Sequence, residues 1–206
     1  MAARRTIVGL VLAGGRSTRM GADKALVDFD GRPLIAHVVE RLRPQVDALA
    51  ISANGEPARF ASFALPVLAD DAEYREAGPL AGIAAALAYA QAESHAWLAT
   101  APCDAPLFPR DLVARLAEAL ATAGAAIAAA ESPRGVEPLF ALWRVDLRPA
   151  LGAFLAAGGR SPRQFMTAQN AARVAFPASD AGDPFANLNS RAELEAARAA
   201  LSRATD

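Results

Sequence analysis

One stretch near the start of the chain constrains the fold most. An apolar run over 6–12 predicts a buried strand, and adjacent glycines, Gly14 and Gly15, open the backbone directly after it. Glycine lets a ligand come close to the main chain, and successive N–H groups in such a turn bind anions. Three cations follow, at Arg16, Arg19 and Lys24. The stretch favours a triphosphate site over its alternative, a tight turn with solvated charges.

The two best-known phosphate loops do not match this stretch. The Walker pattern requires Gly-Lys-Ser/Thr, but Lys24 is preceded by Asp23 and followed by Ala25. The dinucleotide pattern requires spaced glycines, whereas Gly14 and Gly15 are adjacent. A phosphate site here is therefore of another type.

Apolar runs that predict strands alternate with helical patterns. Predicted strands lie at 7–12, 48–53, 65–68, 97–101, 125–130, 138–143 and 173–176. Predicted helices lie at 33–43, 78–92, 109–121, 147–157 and 161–168, with turns at 27–32 and 132–135. A closing helix follows Ser190, with Glu193 in capping-box position. This alternation is typical of a parallel sheet with crossover helices. We expect a three-layer α/β/α sandwich with a mostly parallel, Rossmann-like sheet.

Composition limits the classes of protein that remain. With 53% hydrophobic residues in 206, the chain can bury a sizeable core, and no repeat or flexible linker divides it. We therefore expect one domain over 1–206. A net charge of -1 gives no basic field for nucleic acid. No apolar stretch approaches the roughly 20 residues that span a bilayer. A single cysteine, Cys103, fits a reducing compartment, so we expect a cytoplasmic protein.

Several polar residues and glycines follow the ends of predicted strands. Ligands of open α/β sheets bind beyond the carboxyl ends of the strands, where residues distant in sequence converge. The residues in this position are Gly14, Gly15, Asn54, Asp70 and Asp104. We expect these residues to lie together in one crevice beyond the carboxyl ends of the strands.

Asp104 is the candidate metal ligand. Pro102 and Pro106 restrict the backbone on either side of it. One carboxylate together with substrate phosphate oxygens is a common way to hold Mg²⁺. The alternative is that Asp104 caps a turn or helix. Cys103, His37 and His95 are too few and too scattered for a zinc site.

Four motifs together resemble one family. The run L-A-G-G-x-S-x-R-M-G-x-D-K from Leu12 to Lys24 is similar to the opening signature of nucleotidyltransferases related to molybdenum cofactor guanylyltransferase. G-P-L-A-G over 78–82, P-C-D-x-P over 102–106 and N-x-N over 187–189 also match that family. The resemblance implies transfer of GMP from GTP to molybdenum-bearing molybdopterin, with Mg²⁺ as cofactor. Molybdopterin guanine dinucleotide and pyrophosphate are the implied products.

The resemblance also implies roles for individual residues. The implied catalytic residues are Arg19, Lys24 and Asp104, with Asp104 as the metal ligand. The implied GTP-binding residues are Leu12, Ala13, Gly14, Gly15, Lys24, Asn54, Asp70, Gly78, Pro79, Leu80, Gly82 and Asp104. The implied acceptor-binding residues are Arg160, Arg163, Asn187 and Asn189. The N-terminal half would bind the nucleotide and the C-terminal half the acceptor.

Simpler readings of these residues remain open. If the local alignment with the family shifts by one residue, Asp71 takes the nucleotide-contacting position instead of Asp70. Residues 78–82 also fit an ordinary helix start with Pro at its first position. If Gly82 lies at that start and outside the core, Gly82→Leu should impair GTP use and spare the fold. Arg160 and Arg163 also fit a solvated helix end.

One position departs from the family pattern. The family commonly has His-Pro in the predicted strand at 138–143, and this chain has Glu137-Pro138. A histidine role therefore does not transfer to this chain. Either the acceptor site differs in detail or the position is not critical.

Two rival functions remain. One is a related enzyme that uses CTP or activates a sugar phosphate; Gly15 disfavours the cytidylyl relatives, which typically have L-A-A-G. The other is a non-catalytic nucleotide-binding regulatory module, which the set Arg19, Lys24 and Asp104 disfavours. We expect a monomer or weak oligomer that contacts cofactor biosynthesis proteins or recipient enzymes transiently. We expect no nucleic-acid or membrane partner.

Overall fold

The computed structural model describes residues 6–14, 24–178 and 182–203 of the chain. A seven-stranded sheet forms its centre. In chain order the strands are β1 (Ile7–Leu12), β4 (Ala48–Ser52), β5 (Val67–Leu68), β6 (Trp97–Pro102), β7 (Ile127–Ser132), β8 (Gly135–Arg144) and β9 (Ala172–Ala175). A separate two-stranded hairpin consists of β2 (Asp28–Phe29) and β3 (Arg32–Pro33).

Strand direction brings several strand ends to one side of the molecule. The spatial order is β5-β4-β1-β6-β8-β7-β9. β1 pairs in parallel with both β4 and β6, β4 with β5, and β7 with β9. β8 is antiparallel to its two neighbours, β6 and β7. The carboxyl ends of β5, β4, β1 and β6 therefore share one border of the sheet, which we call the carboxyl edge.

Helices cover both faces of the sheet. They are α1 (Leu34–Leu42), α2 (Pro79–Ala92), α3 (Leu112–Ala123), α4 (Arg148–Ala156), α5 (Pro162–Ala168) and α6 (Arg191–Arg203). Side chains of β1 alternate between the faces: Val11 joins a core cluster with α1 and α3, whereas Val8 and Leu10 join one with α2, α4 and α5. The two clusters confirm the expected three-layer α/β/α sandwich.

The predicted elements are present, with shifted ends. The strand predicted at 65–68 is only Val67–Leu68, because Pro66 has no N–H for the ladder and contributes its carbonyl to Ile51 N, at 2.9 Å. The predicted turn at 27–32 is the tip of the β2–β3 hairpin. Asp30 (φ 55°) and Gly31 (φ 75°) adopt the left-handed conformation that such two-residue turns require.

The structure contains a 3₁₀ helix that the sequence does not predict. It spans Pro57–Phe63, between β4 and β5, and buries Phe60 in the core cluster on the α1 side of the sheet. Among the described residues, no helix is both long and apolar enough to cross a membrane.

The predicted capping box at the start of α6 is confirmed. Glu193 N donates to Ser190 Oγ at 3.2 Å, and Glu193 Oε2 accepts from the N–H groups of Ser190 and Asn189, each at 2.7 Å. The bond from Asn189 N, followed by those of Ser190, lowers the pKa of the Glu193 carboxyl below its ordinary value of 4.5. The charged form of Glu193 therefore stabilises the folded chain.

We predict that Glu193→Gln lowers the thermal midpoint at pH 7. Because the folded pKa is lowered, the stabilisation is complete above about pH 4.5 and is lost as the pH falls through the folded value. Thermal unfolding of both proteins between pH 7 and pH 3 measures this effect. The difference in midpoint should shrink below about pH 4.5. A difference of constant size over that range would contradict the prediction.

Candidate active site at the carboxyl edge

The ladder around β1 extends past the end of the strand and fixes the start of the glycine turn. Ala13 N donates to Ser52 O at 2.9 Å, and Cys103 N donates to Leu12 O at 3.0 Å. The chain leaving β1 is thus held between the ends of β4 and β6. Gly14 follows directly and is exposed.

A charged cluster lies at the same edge. Lys24 Nζ contacts Asp104 Oδ2 at 2.6 Å, and the two side chains are 15% and 21% exposed. The same ammonium donates to Asn189 Oδ1. Lys24 belongs to the 3₁₀ helix Lys24–Leu26, Asp104 follows β6, and Asn189 precedes α6. The fold therefore brings three distant, sequence-predicted residues together.

The backbone at Asp104 is also fixed. Leu188 N donates to Asp104 O at 2.7 Å, and the Leu188 side chain is buried. The segment before α6 is thus tied to the end of β6 by its main chain and to Lys24 by Asn189. This double attachment limits the positions that the Asp104 carboxylate can take.

The donor set at Asp104 fits a hard divalent cation bound together with a phosphate. Among the described residues, Asp104 Oδ1 has no hydrogen-bond donor, so one carboxylate oxygen is available. No group of three or more His, Cys, Asp or Glu side chains within the described ranges forms a metal cage. Mg²⁺ needs no such cage, since it commonly uses one carboxylate, substrate oxygens and water.

Asn54 and Asp70 form a second pair at the carboxyl edge. Asn54 Nδ2 donates to Asp70 Oδ2 at 2.7 Å, and Asp70 N donates to Asn54 Oδ1 at 3.0 Å. Asp71, the alternative, precedes the 3₁₀ helix Ala72–Tyr74 instead. Asp70 is therefore the residue that the fold places beside Asn54. Arg59, which sequence reasoning missed, donates to Asn54 O at 2.6 Å.

The start of α2 divides into an exposed and a buried part. Gly78 is exposed, and its φ of +60° and ψ of −141° suit glycine alone. Leu80 and Gly82 are buried. A Cβ atom on Gly82 would overlap Ser52 Oγ and lie 3.4 Å from Leu12 Cδ2. The idea that Gly82 lies outside the core is therefore wrong, because α2 packs against β4 at this point.

The predicted acceptor residues are not all in one place. Arg160 donates to Leu155 O at 3.0 Å and to Gly159 O at 2.7 Å, so it binds carbonyls at the end of α4. Arg163 donates to Val136 O at 2.6 Å and lines a pocket of about 560 Å³ between α5 and strands β7–β9. Asn187 is exposed beside Leu188. Only Asn189 among the four contacts the Lys24–Asp104 pair in the described structure.

Two predicted residues, Gly15 and Arg19, lie outside the described residues. Ser52 is a site-shaping residue that sequence reasoning missed. Its side chain is buried at the end of β4 against Gly82. A small polar residue at the end of an apolar strand was the available signal.

Comparison with known proteins defines the class first. A family model described as a MobA-like NTP transferase domain matches residues 9–174. The match runs from within β1 to within β9 and includes Lys24 and Asp104. The chain thus belongs to the class of enzymes that transfer a nucleotidyl group.

Individual relatives define the family. The chain is similar to a molybdenum cofactor guanylyltransferase from Cereibacter sphaeroides, with 46% identity over 196 residues that cover 95% of this chain and 97% of the relative. It is 43% identical to one from Cupriavidus pinatubonensis over 200 residues, covering 94% of this chain and 97% of that relative. The chain belongs to the molybdenum cofactor guanylyltransferase family.

A solved structure shows the same fold. Molybdopterin-guanine dinucleotide biosynthesis protein A from Archaeoglobus fulgidus superimposes with a TM-score of 0.73 at 21% identity. The superposition covers 96% of this chain and 100% of that protein.

We predict that Gly82→Ala destabilises the protein by about 1–3 kcal/mol, since the added methyl group overpacks the α2–β4 contact. Removing the opposing Oγ with Ser52→Ala should recover part of the loss. Chemical denaturation of the two single variants and the double variant measures this coupling. Gly152→Ala in α4 is the control, since the nearest atom to its new Cβ is the Tyr74 hydroxyl at 4.0 Å. Equal effects at both glycines would contradict the packing argument.

Proposed function

We propose that the carboxyl edge binds GTP with Mg²⁺ and transfers GMP to the terminal phosphate of molybdenum-bearing molybdopterin, with release of pyrophosphate. The observation that carries the proposal is the contact of Lys24 with Asp104 and Asn189. This cluster lies at the carboxyl edge of the sheet and combines an ammonium, a carboxylate and an amide. These groups are suited to binding phosphates and a divalent cation.

The reaction needs little proton transfer from the protein. A terminal phosphate oxygen of the pterin attacks the α-phosphorus of GTP and forms a new P–O bond. The bond from the α-phosphorus to the bridging oxygen of the β-phosphate breaks, and pyrophosphate leaves with that electron pair. Because the second pKa of a phosphate monoester is about 6, the attacking oxygen is mostly ionised near pH 7. Catalysis then depends on positioning and charge neutralisation.

The side chains divide this work. Asp104 would hold Mg²⁺, which when bound neutralises phosphate charge. Lys24 places its ammonium against the same phosphates, and Arg19 adds a planar guanidinium that suits phosphate oxygens. The glycine-rich sequence from Leu12 to Gly15 would admit the phosphates to its main-chain N–H groups. Asn54 and Asp70, which bind each other, border the nucleotide on the β4–β5 side.

Base recognition is assigned to main-chain groups at the start of α2. The N–H groups at the start of a helix lack the carbonyl four residues earlier that serves the rest of the helix. Ala81 N donates to Gly78 O at 3.1 Å and Pro79 has no N–H, so we assign the O6 acceptor of guanine to the N–H groups of Gly78 and Leu80. Ala13 N already donates to Ser52 O, so Ala13 has only its carbonyl to offer to the N1 and N2 donors. Gly82 acts indirectly, since its lack of a side chain lets α2 approach β4.

The acceptor is assigned to the C-terminal half of one domain over 1–206. Asn189 lies at the reaction centre, and Asn187 is near it in sequence. Arg163 borders the pocket of about 560 Å³, and Arg160 lies on the loop before α5. We also propose that the protein works in the cytoplasm as a monomer or weak oligomer. Its product passes through transient contacts with cofactor biosynthesis proteins or recipient enzymes.

Asp104→Asn should lower turnover by about 10²–10³-fold, the usual cost of one lost electrostatic contact at a reaction centre. The variant keeps the shape of the side chain but removes the charge that holds Mg²⁺ and pairs with Lys24. Pyrophosphate release at varied Mg²⁺ concentration measures the effect. Asp146→Asn is the matched control, because Asp146 makes a surface ion pair with Arg144, at 2.6 Å. Wild-type turnover of Asp104→Asn at limiting Mg²⁺ would disprove the metal assignment.

We expect GTP to be preferred over ATP by at least about tenfold in kcat/KM, which corresponds to 1.36 kcal/mol. Adenine would place its amino donor against the N–H groups that suit guanine O6, leaving buried polar groups unpaired. Pyrophosphate release with GTP, ATP, CTP and UTP measures the preference. Thermal stabilisation by each nucleotide with Mg²⁺ measures binding separately. Equal use of GTP and CTP would favour the cytidylyl rival, and binding without pyrophosphate release the regulatory module.

A further inference from the structure

Glu137, which stands where the family commonly has histidine, is bound within its own hairpin. Its Oε1 accepts from Ser132 Oγ at 2.8 Å and from Arg134 Nη2 at 3.2 Å, and its side chain is 18% exposed. Ser132 ends β7 and Glu137 lies in β8, so the bonds close the turn between the two strands. The Glu137 carboxylate is thus committed to Arg134 and Ser132.

Arg134 extends from this turn to a different part of the chain. Its Nε lies 2.6 Å from Asp183 Oδ2, and its Nη2 donates to Phe185 O at 3.2 Å. One guanidinium therefore joins the β7–β8 turn to residues 183–185. A planar fork can contact oxygens on several sides at once, which the point charge of lysine cannot match.

The segment that Arg134 binds leads directly to the reaction centre. Phe185 is buried, and its ring centroid lies 4.7 Å from that of Phe140 and 5.4 Å from that of Phe176. Three residues further on, Leu188 N donates to Asp104 O. Asn189 then contacts Lys24. The segment 183–189 is thus anchored between the Arg134 contact and the catalytic cluster.

The far end of this segment is already fixed by α6. Glu193 Oε2 accepts from Asn189 N at 2.7 Å. The position of the Asn189 side chain therefore depends on two sets of contacts. One is the Glu193 capping box, and the other is the contacts of Arg134 with Asp183 and Phe185. Loss of either attachment should let Asn189 move relative to Lys24.

We propose that Arg134, held between Glu137 and Asp183, is a positioning residue that sets the place of Asn189 against Lys24 for nucleotidyl transfer. The inference rests on the proposed reaction centre and adds a residue that contacts neither Lys24, Asp104 nor Asn189 in the described part of the chain. Exposed ion pairs contribute little to stability, and the Arg134 side chain is 55% exposed. A small misplacement of a catalytic group, by contrast, can cost about 10²-fold in rate. Arg134 should therefore affect turnover more than stability.

The first test compares Arg134, which directly precedes β8, with Arg144, the last residue of that strand. Arg134→Met should lower kcat for pyrophosphate release at least about tenfold, with KM for GTP changed by less than about twofold, since Asn189 is assigned to the acceptor and not to GTP. Arg144→Met is the matched control, because Arg144 makes an equally short ion pair with Asp146. The control should retain wild-type kcat. Arg134→Lys should recover part of the loss. Equal kcat in the two methionine variants, or a loss that appears only in KM, would overturn the proposal.

A double-mutant cycle then separates positioning from a general structural role. If Arg134 acts through Asn189, Arg134→Met should cost much less in an Asn189→Ala background than in the wild type. Losses that multiply independently would overturn the proposal. Glu137→Gln and Asp183→Asn each weaken the Arg134 contacts from one side, and they take the place of Arg134→Met if that variant does not fold. Lys24→Met tests the proposed reaction centre itself: if it leaves kcat unchanged, the centre is wrong, whatever Arg134 does.

Discussion

The parallel pairing of β1 with β4 and β6 is the constraint on which the rest of the structure depends. Parallel neighbours need crossover connections, so each strand enters the sheet in the same direction and ends on the same side. The bonds from Ala13 N to Ser52 O and from Cys103 N to Leu12 O continue this pairing past the strands. As a result, chain segments from separate crossovers leave the sheet at one place.

The charges at this edge are balanced locally. Lys24 and Asp104 are each largely withdrawn from water, and the cost of removing them from solvent is offset by their close contact and by the Asn189 amide. Such a pair adds little net stability, but it holds an ammonium and a carboxylate at defined positions. In the proposed reaction, Asp104 would hold Mg²⁺ and Lys24 would contact the phosphates, so both side chains keep partners of opposite charge.

The last part of the chain reaches the site because α6 has its own apolar contacts. Leu188, Leu194 and Ala197 pack with Phe29 and Leu34, so the helix lies against the small hairpin and the start of α1. Together with the Glu193 capping box, this packing delivers Asn189 to Lys24. The Arg134 contacts fix the same segment from the opposite side.

The sequence by itself determined the layer architecture, the turn within 27–32 and the Ser190–Glu193 cap. Each follows from local periodicity or turn chemistry, and the resemblance assigned Lys24, Asp104 and Asn189 to the site. Only the tertiary structure decided which side chains touch. It paired Asn54 with Asp70, bound Arg160 to a carbonyl at the end of α4 and bound the Glu137 carboxylate within the β7–β8 turn. It also buried Gly82 against β4. The physical reason is that such contacts depend on strand order and on the packing of distant elements, which local patterns do not encode.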